Sequence, residues 1–344
     1  MAVITVLGEI STSDLGVTLP HEHLLCDLRN QYTEAADPEQ QRIGRQEITH
    51  ANVHLVADNP YALRDNLLLD DVDLAVQEVG LFQRAGGTTI VDCTCRGIGP
   101  QPRQLKRVSE RTGVNIVAGC GYYTQDTHPE EMSAWSAERI ADEMLGDLTE
   151  GLGNTGIRAG VIGEIGTSHP IHRNEQKNLV AAALAFRQSL AAFYVHTYPW
   201  GRDGLAAARI LMDAGADPAK IVICHTDVEP DLEYMRSLLE LGVYIEFDDF
   251  GKEFGVLPAA GFAGGRFASD AERIRNVVNI VEWGFERQVL IANDICLRSM
   301  LCKYAGKGYA NISEHIVPML LRSGLTKEAV DALVIENPAR LLDR

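Results

Sequence analysis

The segment TLPHEHLLCDL, residues 18–28, sets His21 and His23 one residue apart inside an apolar run. In an extended strand residues i and i+2 point the same way, whereas on a helix they sit about 200° apart, so this pair can chelate one ion only if the segment is a strand. Alone, the pair reads as well as two polar residues in a turn begun by Pro20. Four other isolated polar residues change its meaning. Glu164 lies in VIGEIG, His196 in YVHT, His225 in ICHTD and Asp294 in IANDIC, each closing a short apolar run. Burying four imidazoles and two carboxylates at such places is costly unless partners or metal ions compensate them. Imidazole suits zinc and related divalent ions, and a carboxylate can bridge two of them. The six residues therefore read together as a metal-ligand set, and a metal site of this kind can activate water for hydrolysis.

The elements that would position them follow from the apolar pattern. GVTLPHEH, 88–95, 115–123, 159–168, 191–199, 220–227, 242–249 and 288–296 read as eight buried strands. Between them, stretches such as 71–86, with Val72, Ala75, Val79, Phe82 and Ala85 at helical spacing, read as amphipathic helices. Near-continuous apolar strands separated by helices suit a parallel sheet covered on both faces. Most of these strands end in an ionisable residue, and a (β/α)8 TIM barrel gathers its C-terminal strand ends at one mouth, where a doubly wound sheet gathers only those at its switch point. The expectation is a single barrel domain over residues 1–344, with a short strand segment before barrel strand 1.

Composition narrows the partners. A formal charge of −17 argues against a nucleic-acid or anionic-membrane surface and leaves a small molecule as the expected partner. The opening MAVITVLGEIS has no basic segment, and no window approaches about 18 uninterrupted apolar residues, so a cytoplasmic location is expected. Seven cysteines, an odd number without C-x-x-C spacing, suit reduced core thiols.

The motifs GVTLPHEHL, GVIGEIGTS, VHT, ICHTD and LIANDIC, followed by KYAGKGYANI, resemble the phosphotriesterase family of the amidohydrolase superfamily, and in particular its phosphotriesterase-related branch. The resemblance runs from about residue 5 to ENPARLL near the C-terminus. It implies that His21, His23 and Asp294 hold one divalent ion, that His196 and His225 hold a second, and that Glu164 bridges them. The expected ions are zinc, with manganese, cobalt or iron as alternatives, and a homodimer is implied as well. It further implies a hydrolase whose bridging hydroxide cleaves a small carboxylic ester, lactone or amide, with Asp294 as the catalytic proton acceptor. Hydrolysis of phosphoesters is the alternative activity, and a ligand-binding barrel without catalysis is a second. The phosphotriesterase itself carries on strand 4 a lysine converted to a bridging carbamate, whereas residue 164 here is Glu. Glutamate already brings the one negative charge, so metal loading is expected without bicarbonate.

Arg96, Tyr123, Asp248 and Lys252 follow strands 2, 3 and 7 and are the candidate substrate contacts, alongside Tyr122, Trp200 and Phe254 on the strand-end loops. For Arg96 a salt bridge to a loop acid is the equal alternative. Glu22, between the two histidines, should point away from the metals into the barrel wall or a loop. GLGNTG at 151–156 fits the dinucleotide fingerprint by letter but follows a helical stretch and leads into a strand, the reverse of the order that chemistry needs. His50, His54 and Asp58 could form a helical zinc pair with a neighbouring acid, though a solvated face is the simpler reading. His169 and His172 read as loop residues, and Cys93 with Cys95 as core thiols.

Overall fold

In the computed structural model, which describes residues 2–57, 59–256 and 265–344, eight parallel strands form a nearly closed barrel with helices between them. The strands are β1 (Val17–Glu22), β2 (Gly87–Asp92), β3 (Asn115–Cys120), β4 (Val161–Gly166), β5 (Phe193–His196), β6 (Ile221–Ile223), β7 (Tyr244–Phe247) and β8 (Val289–Ile291). Each pairs in parallel with its neighbours in chain order. Among the described residues, the connecting helices of nine or more residues are α1 (Val72–Arg84), α2 (Pro102–Thr112), α3 (Ala137–Thr149), α4 (Arg173–Ser189), α5 (Gly204–Asp213), α6 (Leu232–Glu240) and α7 (Asp270–Glu282). This is the (β/α)8 class that the apolar pattern predicts.

Strand alternation divides the core in two. Val91, Cys93, Val117, Val161, Tyr194, Val222, Cys224, Tyr244 and Leu290 fill the barrel interior, while their neighbours Ile90, Ile116, Ile162, Phe193, Ile245 and Ile291 pack outward under the helices. Each fully buried aliphatic side chain contributes about 1.5–3 kcal/mol. The antiparallel hairpin Ala2–Thr5 with Gly8–Ser11 lies beneath this interior, and Val3 joins Leu341 and Leu342 in closing it. The helices begin where the sequence supplies caps. Asp71 accepts from the Leu74 amide at α1, and Ser269 with Glu272 forms a capping box at α7.

The seam between β8 and β1 differs from every other junction. No ladder joins these strands among the described residues. Instead, beyond the strand ends, the Asp294 amide donates to His21 O at 3.3 Å and the His23 amide to Ile295 O at 3.2 Å. The Glu22 side chain completes the closure. Its Oε1 accepts from the Asn293 amide at 2.9 Å and from Asn293 Nδ2 at 2.8 Å, and its Oε2 accepts from the Ile295 amide at 2.8 Å. Glu22 thus turns from the interior to the strand 8 loop.

Candidate metal centre

The C-terminal strand ends bring the six predicted residues to one place. All are buried: His21, His23, Glu164, His196, His225 and Asp294. His21 and His23 leave the end of β1 on the same side, with ring centroids 5.6 Å apart. His196 ends β5 in phase with Tyr194, two residues earlier on the interior face. His225 needs a different device, because Cys224, one residue earlier, already occupies the interior register, and its positive φ of +60° rotates the side chain by the half-step a strand would deny. Asp294 is already in phase with interior Leu290, and it too adopts a positive φ, +44°. Such conformations persist where the surroundings over-determine them.

Glu164 lies at the centre. Its Oε1 is 2.9 Å from both His196 Nδ1 and His225 Nε2, and 3.7 Å from His21 Nε2; its Oε2 is 3.6 Å from His23 Nε2. Asp294 Oδ1 stands 3.1 Å from His23 Nε2 and 3.8 Å from His21 Nε2. Burial alone would raise the Glu164 carboxyl, yet the imidazoles of His196 and His21 hold it well below the ordinary range. Burial likewise disfavours charge on His21 and His225, but the surrounding anions outweigh it and raise both.

The outer hydrogen bonds fix the tautomers. His21 Nδ1 lies 2.9 Å from Glu246 Oε2 and 3.2 Å from Asp248 Oδ2, and His225 Nδ1 lies 3.1 Å from the same Asp248 oxygen. Those nitrogens must carry the protons, so in the neutral rings each Nε2 turns a lone pair inward. His21 Nε2 is buried with no hydrogen-bond partner among the described residues, and His225 Nε2 faces the lone pairs of Glu164 Oε1. Lone pairs converging from nitrogen and carboxylate oxygen need a cation between them, which is a proton on the imidazole while no metal is bound, as the raised pKa values of His21 and His225 describe, or a metal ion that displaces it. The donor set therefore fits divalent metal ions, and the groups His21, His23, Asp294 and His21, Glu164, His225 each bring ligand atoms within 4.8 Å. His23 is held from behind by Thr94 Oγ1 at 2.9 Å, and Thr94 in turn by Asp92.

Two orienting residues carry no mark in the sequence reading. Glu246 sits inside YIEF, where its alternation with Asp248 was the available signal. Asn293 was hidden beside Asp294, although its contact with Glu22 sets the loop.

The site opens into a cavity of about 80 Å³, walled by Leu28, Tyr61, Ile98, Tyr123, Pro199 and Phe267, with Lys252 the one lysine or arginine on its lining among the described residues. Tyr123 is placed as a cavity residue, its hydroxyl 3.2 Å from His196 Nδ1. Lys252 Nζ bonds Asp249 Oδ1 at 2.7 Å and Asp294 Oδ2. Burial would lower its pKa, but these two carboxylates raise it well above the ordinary lysine value. The expectation that Arg96 and Asp248 meet the substrate is corrected. Arg96 turns outward to α3, bonding Asp147 at 2.5 and 3.0 Å over the Tyr122 ring, because that buried acid offers a paired fork. Asp248 lies beneath the histidines, fully buried, where its oxygens are used by the two rings and the His225 amide. A larger cavity of about 330 Å³, between Val56, Phe250, Phe254 and Tyr304, contains none of the six.

The motifs set aside find ordinary structural places. Leu152–Asn154 is a short 3-10 turn leading toward β4. His54 is exposed on the 3-10 turn Val53–Val56 and His50 is exposed in a turn, while Asp58 lies outside the described residues. His172 caps α4, and His169 pairs with Asp203 at 2.6 Å. The seven cysteines are free thiols.

Residues 1–342 match the phosphotriesterase family. This chain belongs to that family. It is 36% identical over 342 residues to an N-acetyltaurine hydrolase of Danio rerio, covering 99% of this chain and 97% of the relative. Its fold superposes on a resiniferatoxin-binding protein from Rhodobacter sphaeroides with a TM-score of 0.95 at 36% identity, covering 99% and 95% of the two chains. A mutant of a PTE-like lactonase from Deinococcus radiodurans gives a TM-score of 0.78 at 29% identity, covering 99% and 100%. The chain is accordingly an enzyme of the phosphotriesterase-related, hydrolytic type. Among the described residues no helix is long and apolar enough to cross a membrane.

Proposed function

We propose that His21, His23 and Asp294 hold one divalent ion, that His196 and His225 hold a second with Glu164 shared between them, and that the enzyme hydrolyses a small N-acyl amide, with esters and lactones as related substrates. Zinc is the ion this donor set suits most simply. The observation that carries the reading is buried His21 Nε2, which faces the carboxylates of Glu164 and Asp294 at 3.7 and 3.8 Å yet makes no hydrogen bond to either, the spacing of ligands around an ion. When bound, such ions polarise a scissile carbonyl and bring the pKa of a water to about 7. The protein's own groups do the rest. Glu246 and Asp248 hold the two imidazoles in their inward tautomers, and Thr94 holds His23. Asp294 presents Oδ1 to the histidines, and Oδ2 at the cavity side, which takes the Lys252 ammonium on one lone pair, keeps its other lone pair to accept the proton of the attacking water. Leu28, Ile98, Pro199 and Phe267 surround the scissile group with apolar wall, which excludes water and suits a short acyl group in so small a cavity. The N-acetyl substrate in the name of the zebrafish relative points to the same class.

The test is metal content followed by turnover of one metal-loaded preparation on N-acetylated amino and aminosulfonic acids, lactones and an aryl phosphotriester. Preferred cleavage of an N-acetyl substrate is expected. Preference for the phosphotriester would replace the amide reading with phosphoester chemistry, and bound metal without turnover on the whole panel would leave a ligand-binding barrel.

A further inference from the structure

We propose that Lys252 is a positioning residue for Asp294, braced from α7, that fixes which carboxylate oxygen faces the histidines. The inference rests on the metal reading above but concerns residues that reading leaves without a role. Lys252 is 4% exposed, and its ammonium is shared between Asp249 and Asp294 Oδ2. An ammonium already flanked by two carboxylates is a poor anchor for an anionic substrate. It is instead well placed to hold one oxygen of Asp294 still.

The brace behind it spans several elements, although Asp227 Oδ1, Asp249 Oδ2 and Arg273 Nη2 are buried without a hydrogen-bond partner among the described residues. The turn Asp249–Lys252 is closed by the Lys252 amide donating to Asp249 O at 3.0 Å. Fully buried Arg273 on α7 donates from Nη1 to Lys252 O at 3.1 Å and from Nε to Asp227 Oδ2 at 2.7 Å. Asp227 Oδ2 also accepts from the Asp249 amide at 3.3 Å. Asp270, at the start of α7, accepts from the Gly251 amide at 2.9 Å and from Arg273 at 3.1 Å. A buried arginine and two acids thus grip the backbone on either side of the lysine. Burying that many charges is costly, and their desolvation is offset only while every partner stays in place.

The consequence is a carboxylate with divided duties. With Oδ2 occupied by Lys252, Asp294 offers His21 and His23 a single oxygen, Oδ1, and is kept from turning both toward an ion. Freed from the lysine, the carboxylate could rotate and bind through both oxygens, leaving none on the cavity side. Misplacing a reacting group by about 1 Å costs on the order of 10²-fold in rate.

The decisive measurement is a double-mutant cycle on the full chain with Lys252→Met and Asp294→Asn, read by kcat, KM, metal content and the visible spectrum of the cobalt-loaded protein. In Lys252→Met we expect kcat to fall about 10²-fold with KM nearly unchanged, metal content retained, and an altered cobalt spectrum. The double variant should lose no more than Asp294→Asn alone, since residues acting through one another are non-additive. Additive losses, or an unchanged cobalt spectrum in Lys252→Met, would overturn the proposal. Should Lys252→Met fail to fold, Asp249→Asn, which removes one of the lysine's two anions while keeping its size, is expected to give a smaller shift of the same spectrum, and no shift would count against the idea. If the wild-type protein turns over nothing on the panel, the amide reading fails, whereas the cobalt spectra still decide the lysine's role.

Discussion

The two halves of the centre are built to different standards of support. On the β1 and β8 side, every predicted ligand has a second group at its back: His21 has Glu246 and Asp248, His23 has Thr94, and Asp294 has Lys252. On the β5 side, His196 turns Nδ1 inward and no hydrogen bond among the described residues backs its ring: the Tyr123 hydroxyl lies on the cavity side, 3.2 Å from Nδ1 and 3.5 Å from Nε2. His225 stands between these cases, held through Asp248 but placed by a positive φ. Backing groups fix orientation and raise ligand basicity, so the first side is the rigid one and the second the adjustable one. On the proposed two-ion reading, one ion would belong to the architecture while the other adapts to what enters the cavity.

Breaking the element common to both halves should have the largest effect. Glu164→Gln removes the one carboxylate near all four histidines, and neither metal nor turnover should survive purification; metal analysis with and without added bicarbonate checks this, and activation of the unmutated protein by bicarbonate would refute the role of Glu164. Next, Asp294→Asn should keep much of the metal yet lose about 10²- to 10⁴-fold in turnover, the usual worth of a positioned proton acceptor; an active Asn variant would demand another base. Asp248→Asn weakens the inward tautomer on both sides at once, so titration with a competing chelator should show metal affinity lowered by about 10- to 100-fold. The smallest change, Tyr123→Phe, touches the adjustable half alone. One ion should then exchange faster than the other, and equal exchange of both would erase the asymmetry.

How far the chain could be read in advance depended on how many neighbours each residue needs. The strands were legible because both faces of a parallel sheet are covered, which writes each as a continuous apolar run. Their ends were overstated, as at 220–227, where the ladder stops at Ile223 although the apolar letters continue. The reason is the positive φ of His225, which no local pattern announces. The six site residues were legible as polar residues closing apolar runs. Arg96 was misdirected because alternation lapses beyond a strand end, and a partner such as Asp147, 51 residues away, decides the side-chain direction, whereas Asp248 keeps the alternation of Glu246 and is spent beneath the histidines instead of in the cavity. Glu246 was missed for the opposite reason: it lies within a strand and was absorbed into the apolar run.

The stitch at Glu22 sets a schedule for assembly. Its acceptors reach residues 271 and 273 positions further along the chain. At about 5–20 residues per second of synthesis, β1 waits on the order of tens of seconds before β8 exists to meet it. Until then His21 and His23 have neither the seam nor Asp294 to fix them. On the proposed metal reading, capture of an ion by that half would be a final act of folding, and a chain that had acquired it would have closed its barrel.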